Sequence, residues 1–190
     1  MQSPIYATKM TKILCKLLLY DSLHVEDLRG YTPQYKDDDV KSALHSMSLV
    51  EYGQPYSYDD VVFTFFDAGH IPGSSSVHLM MDDVSVLYSG DVKFEDSKLL
   101  SKGEMALPPV DVLILEATYG DKKQKNRVNE EKRFRAAVKK TLDRGGRVIV
   151  PAFSIGRSQE VLTRLLDFNV PMYLDGMGKK ALRKFGCHGF

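Results

Sequence analysis

At 190 residues, with 43% hydrophobic and 27% charged side chains, the chain can bury one sizeable core, and its usage is neither that of a disordered segment nor that of a fibrous repeat. Lys and Arg total 26 against 25 Asp and Glu, a formal net charge of +1, so attraction to an anionic partner has to come from local patches. Cys15 and Cys187 stand far apart with no CxxC pair, which argues against a thiolate metal site or a disulfide framework and fits a reducing compartment. Lys16 interrupts the apolar run Lys12–Tyr20, no cleavage signal follows it, and no run approaches the ~20 residues of a membrane span. A soluble, cytoplasmic protein is expected.

Pro4–Ala7 reads as a short extended piece. From Thr8 to about Asp27, Ile13, Leu14, Leu17 and Leu18 recur at helical spacing, which predicts an amphipathic helix with Lys9, Lys12 and Lys16 turned outward. Gly30–Asp39, rich in Pro, Tyr and Asp, leads into a second short helix over about Asp38–Ser46, and Leu49–Tyr52 is read as a strand. Four runs rich in β-branched and aromatic residues follow, Val61–Phe66, Ser76–Met81, Val84–Tyr88 and Val110–Leu115, and each predicts a strand. Asp82-Asp83 is so short a link that the second and third must form an antiparallel hairpin.

Phe134, Val138 and Leu142 at four-residue steps, with Gly145-Gly146 as a stop, predict a helix over Asn129–Asp143. Arg147–Val150 is then read as a strand, Pro151–Ser158 as a loop, Gln159–Leu166 as a helix and Met172–Leu174 as a further strand. That alternation is the signature of a parallel α/β arrangement.

Chemistry-bearing side chains gather at strand ends. His70 follows glycine in Asp67-Ala-Gly-His70-Ile-Pro-Gly-Ser74, and Asp91 follows glycine in Tyr88-Ser-Gly-Asp91. Alone, either residue serves as readily to hydrogen-bond its own turn. Together, an imidazole and a carboxylate on one sheet edge are donors that zinc accepts. Glu116 ends the run Leu113-Ile-Leu-Glu116, where a carboxylate orients a neighbour or caps a loop. Further on, Phe153-Ser-Ile-Gly-Arg-Ser158 lies between a strand and a helix. Its backbone N–H groups, the hydroxyls of Ser154 and Ser158 and the Arg157 guanidinium suit a phosphate, or an ordinary helix cap. The basic run Lys122–Arg127, continued by Lys132-Arg133, is either a solvated surface or a source of nonspecific phosphate attraction.

The ordered series Asp67–Ser74, Tyr88–Asp91, Leu115-Glu-Ala-Thr-Tyr-Gly120 and Pro151-Ala-Phe-Ser-Ile-Gly-Arg-Ser-Gln-Glu160 resembles the β-CASP branch of the metallo-β-lactamase superfamily. The likeness is closest to archaeal relatives of the cleavage and polyadenylation specificity factor endonuclease, more distant to the RNase J type, and covers nearly the whole chain. It implies an α/β fold: a partial metallo-β-lactamase αββα sandwich over 1–119, then the beginning of a β-CASP clamp over 120–190. It further implies a zinc-dependent RNA-processing nuclease of the mRNA 3′-end type, with His70 as a zinc ligand and Asp91 as the carboxylate shared by two zinc ions. Glu116 would support a catalytic histidine from a later motif. Ser154, Gly156, Arg157 and Ser158 would face the RNA backbone.

The family's His-x-His-x-Asp-His motif is nowhere in this sequence, and its later histidine motifs are missing. His188 comes too early to be one of them, and His24, His45 and His78 fit no motif. A catalytic zinc takes three protein ligands plus water, so His70 and Asp91 are expected not to hold a competent centre alone. The expectation is an internal piece or split subunit, inactive by itself, with an exposed sheet edge and apolar face met by a partner supplying the remaining ligands. A noncatalytic RNA-binding or interaction subunit is the alternative, and a lactamase- or glyoxalase-type hydrolase the weaker third.

Overall fold

The computed structural model describes residues 3–184, so Cys187 and His188 lie outside the described residues. The chain begins with β1 (Ile5–Ala7), α1 (Lys9–Leu28) and α2 (Asp37–His45). Thr8 caps α1 by accepting the Thr11 N–H at 3.2 Å, and Gly30, at φ +67°, lies just beyond its end. Three aspartates in the first turn of α2 complement the helix dipole, and Asp39 accepts the Lys36 N–H at 2.8 Å. Leu14 of α1 and Val40 of α2 are buried with Ala7 and Val50 in a small core. Lys12 is not simply turned outward: its Nζ donates to the Met47 carbonyl at 3.1 Å.

β2 (Met47–Leu49) pairs parallel with β1. The strand read at Leu49–Tyr52 therefore starts earlier, because β1 sets where pairing occurs; the chain leaves at Val50, whose N–H still reaches the Ala7 carbonyl at 3.0 Å.

A sheet follows in the order β3 (Pro55–Tyr58), β4 (Val61–Asp67), β5 (Ser75–Met81), β6 (Val84–Tyr88) and β7 (Val112–Ile114). β3 was not foreseen. Its proline occupies the first position of an edge strand, where the missing N–H costs nothing, and Tyr56 stacks on Phe63 of β4 with ring centroids 5.8 Å apart. β4, β5 and β6 are successively antiparallel, with Met81 opposite Val84 in the expected hairpin, and β7 lies parallel to β6. Asp111 fixes that parallel register, accepting both the N–H and the hydroxyl of Ser85, at 2.8 and 2.7 Å. Because β4, β6 and β7 all run in one direction, their C-terminal ends open on a single edge.

The remainder is α3 (Arg127–Asp143), α4 (Arg157–Leu165) with a 3-10 turn at Leu166–Phe168, and α5 (Met177–Lys184). α5 was not anticipated from the sequence; it buries Ala181 and Leu182, and Lys180 Nζ lies 3.6 Å from Asp21 of α1. The strands expected at Arg147–Val150 and Met172–Leu174 do not form, and with them goes the alternating parallel pattern. A strand exists only as a pairing, and among the described residues nothing pairs with either segment. Ile149 is 91% and Tyr173 93% exposed. Mixed α/β architecture is observed, with its strands confined to the first two thirds of the chain.

Candidate metal and phosphate site

The shared edge places His70 after β4, Asp91 after β6 and Glu116 after β7. Both glycines before the first two residues adopt positive φ, +66° at Gly69 and +54° at Gly90, and neither has room for a side chain. A β-carbon on Gly69 would meet the Ser101 carbonyl oxygen at 2.8 Å, and one on Gly90 the Ser75 carbonyl oxygen at 2.8 Å. The turn carrying His70 is tied down further. Asp67 Oδ1 accepts the Gly69 N–H at 2.8 Å, Ser74 Oγ accepts the His70 N–H at 3.1 Å, and the Thr11 hydroxyl of α1 donates to the Gly73 carbonyl at 2.8 Å. His70 Nε2 and Asp91 Oδ2 then lie 3.8 Å apart, both side chains open to solvent.

Glu116 does not touch a histidine through a hydrogen bond within the described residues. Its Oε1 accepts the Val92 N–H at 2.9 Å and its Oε2 the Thr118 N–H at 3.3 Å, so it braces the turn carrying Asp91. Hydrogen bonding by the Thr118 side chain first, then by the Val92 N–H, holds its carboxyl below the usual carboxylate range, with the Thr118 N–H and the nearby His70 adding to the shift. Ser89 joins β6 to β7 from beneath: its N–H donates to the Ile114 carbonyl at 2.9 Å and its Oγ accepts the Glu116 N–H at 3.0 Å. The segment after Asp91 returns to the His70 turn, with the Lys93 N–H on the Ala68 carbonyl at 2.9 Å and the Glu104 N–H on the Asp67 carbonyl at 2.7 Å. The Lys93 and Glu104 bonds to the His70 turn are made by backbone alone.

The loop before α4 reaches the same edge. Gly156 is its contact point: with φ +78° it opens the helix, and a β-carbon there would lie 3.2 Å from Ile71 Cγ2, one residue beyond His70. Arg157 is exposed and has no ion-pair partner among the described residues. Ser158 turns the other way. It is buried, and its hydroxyl donates to the Ser154 carbonyl at 2.9 Å, while the Arg157 and Ser158 N–H groups bond Ile155 and Phe153 carbonyls. Ser154 is half-buried. The helix expected from Gln159 thus starts two residues earlier, so of the four residues singled out in the sequence Arg157 and Ser158 stand in the first turn of α4; Arg157 is presented outward, and Ser158 braces that turn from inside.

The sequence motif assigns no role to Glu160, one turn further. Its side chain is 12% exposed and ion-paired with Arg127 at 3.3 Å and with Arg164, while Oε1 accepts the Leu99 N–H at 3.2 Å. Arg164 Nε also meets Glu131 of α3 at 3.2 Å. Arg164, four residues on in a helix, was the available signal. Arg127 is accordingly drawn out of the basic run, leaving Lys122, Lys123 and Lys125 exposed.

Two tetrahedral ligands at about 2.0–2.1 Å from one zinc ion stand about 3.3 Å apart, and the 3.8 Å between His70 Nε2 and Asp91 Oδ2 is close to that separation. Donor type and spacing therefore fit part of a zinc centre. Among the described residues, no group of three His, Cys, Asp or Glu side chains is placed to hold a metal. Nor is any described helix long and apolar enough to cross a membrane.

No family model matches the chain. It is 36% identical to the probable RNase MJ4 of Methanocaldococcus jannaschii over 93% of this chain and 42% of that protein. It is 35% identical to transcription termination factor FttA of the same organism over 92% of this chain and 29% of that protein. RNase aCSPSF2 of Saccharolobus solfataricus is 32% identical over 95% of this chain and 37% of its own length. The chain spans less than half the length of these relatives.

Proposed function

The chain belongs to the family of archaeal cleavage and polyadenylation specificity factor-like β-CASP nucleases, and from that premise we propose that it supplies part of a zinc-dependent centre for phosphodiester hydrolysis in RNA. The β3–β7 sheet is read as part of the αββα sandwich and α3–α5 as the opening of the clamp. The observation that carries the proposal is the meeting of His70 and Asp91, 3.8 Å apart, on the edge that Gly156, at the start of α4, also approaches.

His70 and Asp91 are the residues that would hold zinc, Asp91 as the carboxylate able to bridge two ions. When bound, zinc would supply a Lewis acid for the phosphate and lower the pKa of water toward about 7. The chain's own residues do the rest. Glu116 keeps Asp91 on the edge through Val92, and Arg157 offers a guanidinium fork to the RNA phosphates. Three protein ligands are the minimum for a catalytic zinc, so further donors come from polypeptide other than the described residues. The exposed β7, with Leu113 at 55%, is where such a segment or partner chain would add.

The ligand count favours a second reading, a noncatalytic RNA-binding or interaction subunit. One experiment separates the two. The full chain is mixed with a polypeptide carrying His-x-His-x-Asp-His, and its zinc content and RNA cleavage are measured. Nearly two zinc ions per complex, with cleavage lost in Asp91→Asn, supports the nuclease. RNA binding without zinc, indifferent to His70→Ala and Asp91→Asn, supports the second reading; no RNA binding in either preparation sinks both.

A further inference from the structure

Glu160 sits where three elements meet, and nothing in its own helix requires it to be buried. Its carboxylate takes the Leu99 N–H at 3.2 Å from the segment following Asp91, Arg127 at 3.3 Å from the start of α3, and Arg164 from its own helix. An acid only 12% exposed is costly unless paired and hydrogen-bonded, and here both conditions are met. The Leu99 segment is in turn bonded to the β4 and β6 ends: Gly103 N–H to the Lys93 carbonyl at 2.8 Å, and Lys93 N–H to the Ala68 carbonyl at 2.9 Å. Lys93 Nζ closes the loop on Ser97 at 3.0 Å. On the other side of Glu160, its N–H bonds the Gly156 carbonyl at 3.0 Å in the first turn of α4. An unbroken run of bonds therefore leads from the turns bearing His70 and Asp91, through Glu160, to the start of α4, which bears Arg157.

We propose that Glu160 is a positioning residue that holds the start of α4, with Arg157 and the loop before it, in register with the His70–Asp91 edge. A β-carbon on Gly156 would have a single neighbour, Ile71 Cγ2 at 3.2 Å, so this approach limits the space at the helix start but does not set its direction. The Glu160 clamp sets direction, because it pins α4 one turn beyond its start to two separate elements. The consequence for phosphate binding rests on the proposed RNA function; the clamp itself does not.

The test uses the full chain with Cys15→Ser and Cys187→Ser, and nitroxide labels at Phe153→Cys and Tyr119→Cys, both sites being exposed. Electron-electron resonance should give one narrow distance distribution that broadens in Glu160→Ala and broadens less in the isosteric Glu160→Gln, which keeps an acceptor for Leu99. An unchanged distribution in the folded variants overturns the proposal. If Glu160→Ala fails to fold, Glu160→Gln alone decides it. In parallel, binding of a labelled single-stranded oligoribonucleotide should weaken about threefold to tenfold in Glu160→Ala, yet not weaken further when Arg157→Ala is already present. Additive losses also count against the clamp. If Arg157→Ala leaves binding unchanged, the RNA reading fails at this loop, and the label distances still decide the role of Glu160.

Discussion

Gly156 faces Ile71 across the site edge so closely that a β-carbon would stand 3.2 Å from Ile71 Cγ2. Its backbone, at φ +78° and ψ −66°, is also outside the regions open to L side chains. Gly156→Ala should therefore lower stability by about 1–3 kcal/mol. Gly145→Ala is the control, since φ is +73° there but nothing lies within 4 Å, and it should cost only about 1 kcal/mol. Urea midpoints measure both, and equal losses would remove the steric part of the argument.

The Glu160 carboxylate predicts a pH dependence. Burial pushes its pKa up, but hydrogen bonds from Ser97, Arg164 and the Leu99 amide, with the Arg164 charge, outweigh this and hold it below the ordinary 4.5. The unfolded chain then takes up the proton first, so the stabilisation is complete above that ordinary value and fades as pH falls through the lower folded one. Glu160→Gln should be less stable than the parent near neutral pH, with the gap closing on acidification below about pH 4.5. Denaturant titrations at several pH values check this; a gap that widens in acid would contradict it.

His78 is buried in β5, opposite Thr64 and Leu87, and its Nε2 has no hydrogen-bond partner among the described residues. An orphaned polar atom costs more than an apolar replacement of similar size. His78→Leu should raise stability by about 1 kcal/mol, read as a higher thermal midpoint. A lower midpoint would mean that the imidazole is satisfied by something not seen here.

β7 leaves an open edge, with Val112, Leu113 and Ile114 between 44% and 55% exposed. Unpaired N–H and C=O groups beside apolar side chains invite pairing with another chain. Sedimentation velocity of the chain alone should show concentration-dependent association, reduced by Leu113→Lys. Association unaffected by that charge would place the sticky surface elsewhere.

Part of the candidate site's composition is legible in the sequence because glycine before an ionisable residue at a strand end is a local signal, as at Gly69-His70 and Gly90-Asp91, while the close packing of Ser101 and Ser75 against those glycines is not. The hairpin at Asp82-Asp83 and the helices capped by Thr8 and Asn126 are equally local, set by a short link and by side-chain caps. Tertiary structure decided everything that depends on a partner. Arg147–Val150 and Met172–Leu174 have strand-forming residues but, among the described residues, nothing beside them to pair with, whereas Pro55–Tyr58 forms a strand because β4 offers an edge. Ser158 carries a hydroxyl suited to phosphate and spends it on the Ser154 carbonyl. The sequence marks Glu116 as a group that orients a neighbour or caps a loop and gives Glu160 no role, yet it does not show that they accept the distant backbone N–H groups of Val92 and Leu99. A hydrogen bond is specified by two groups at once, and the sequence names them without saying that they meet.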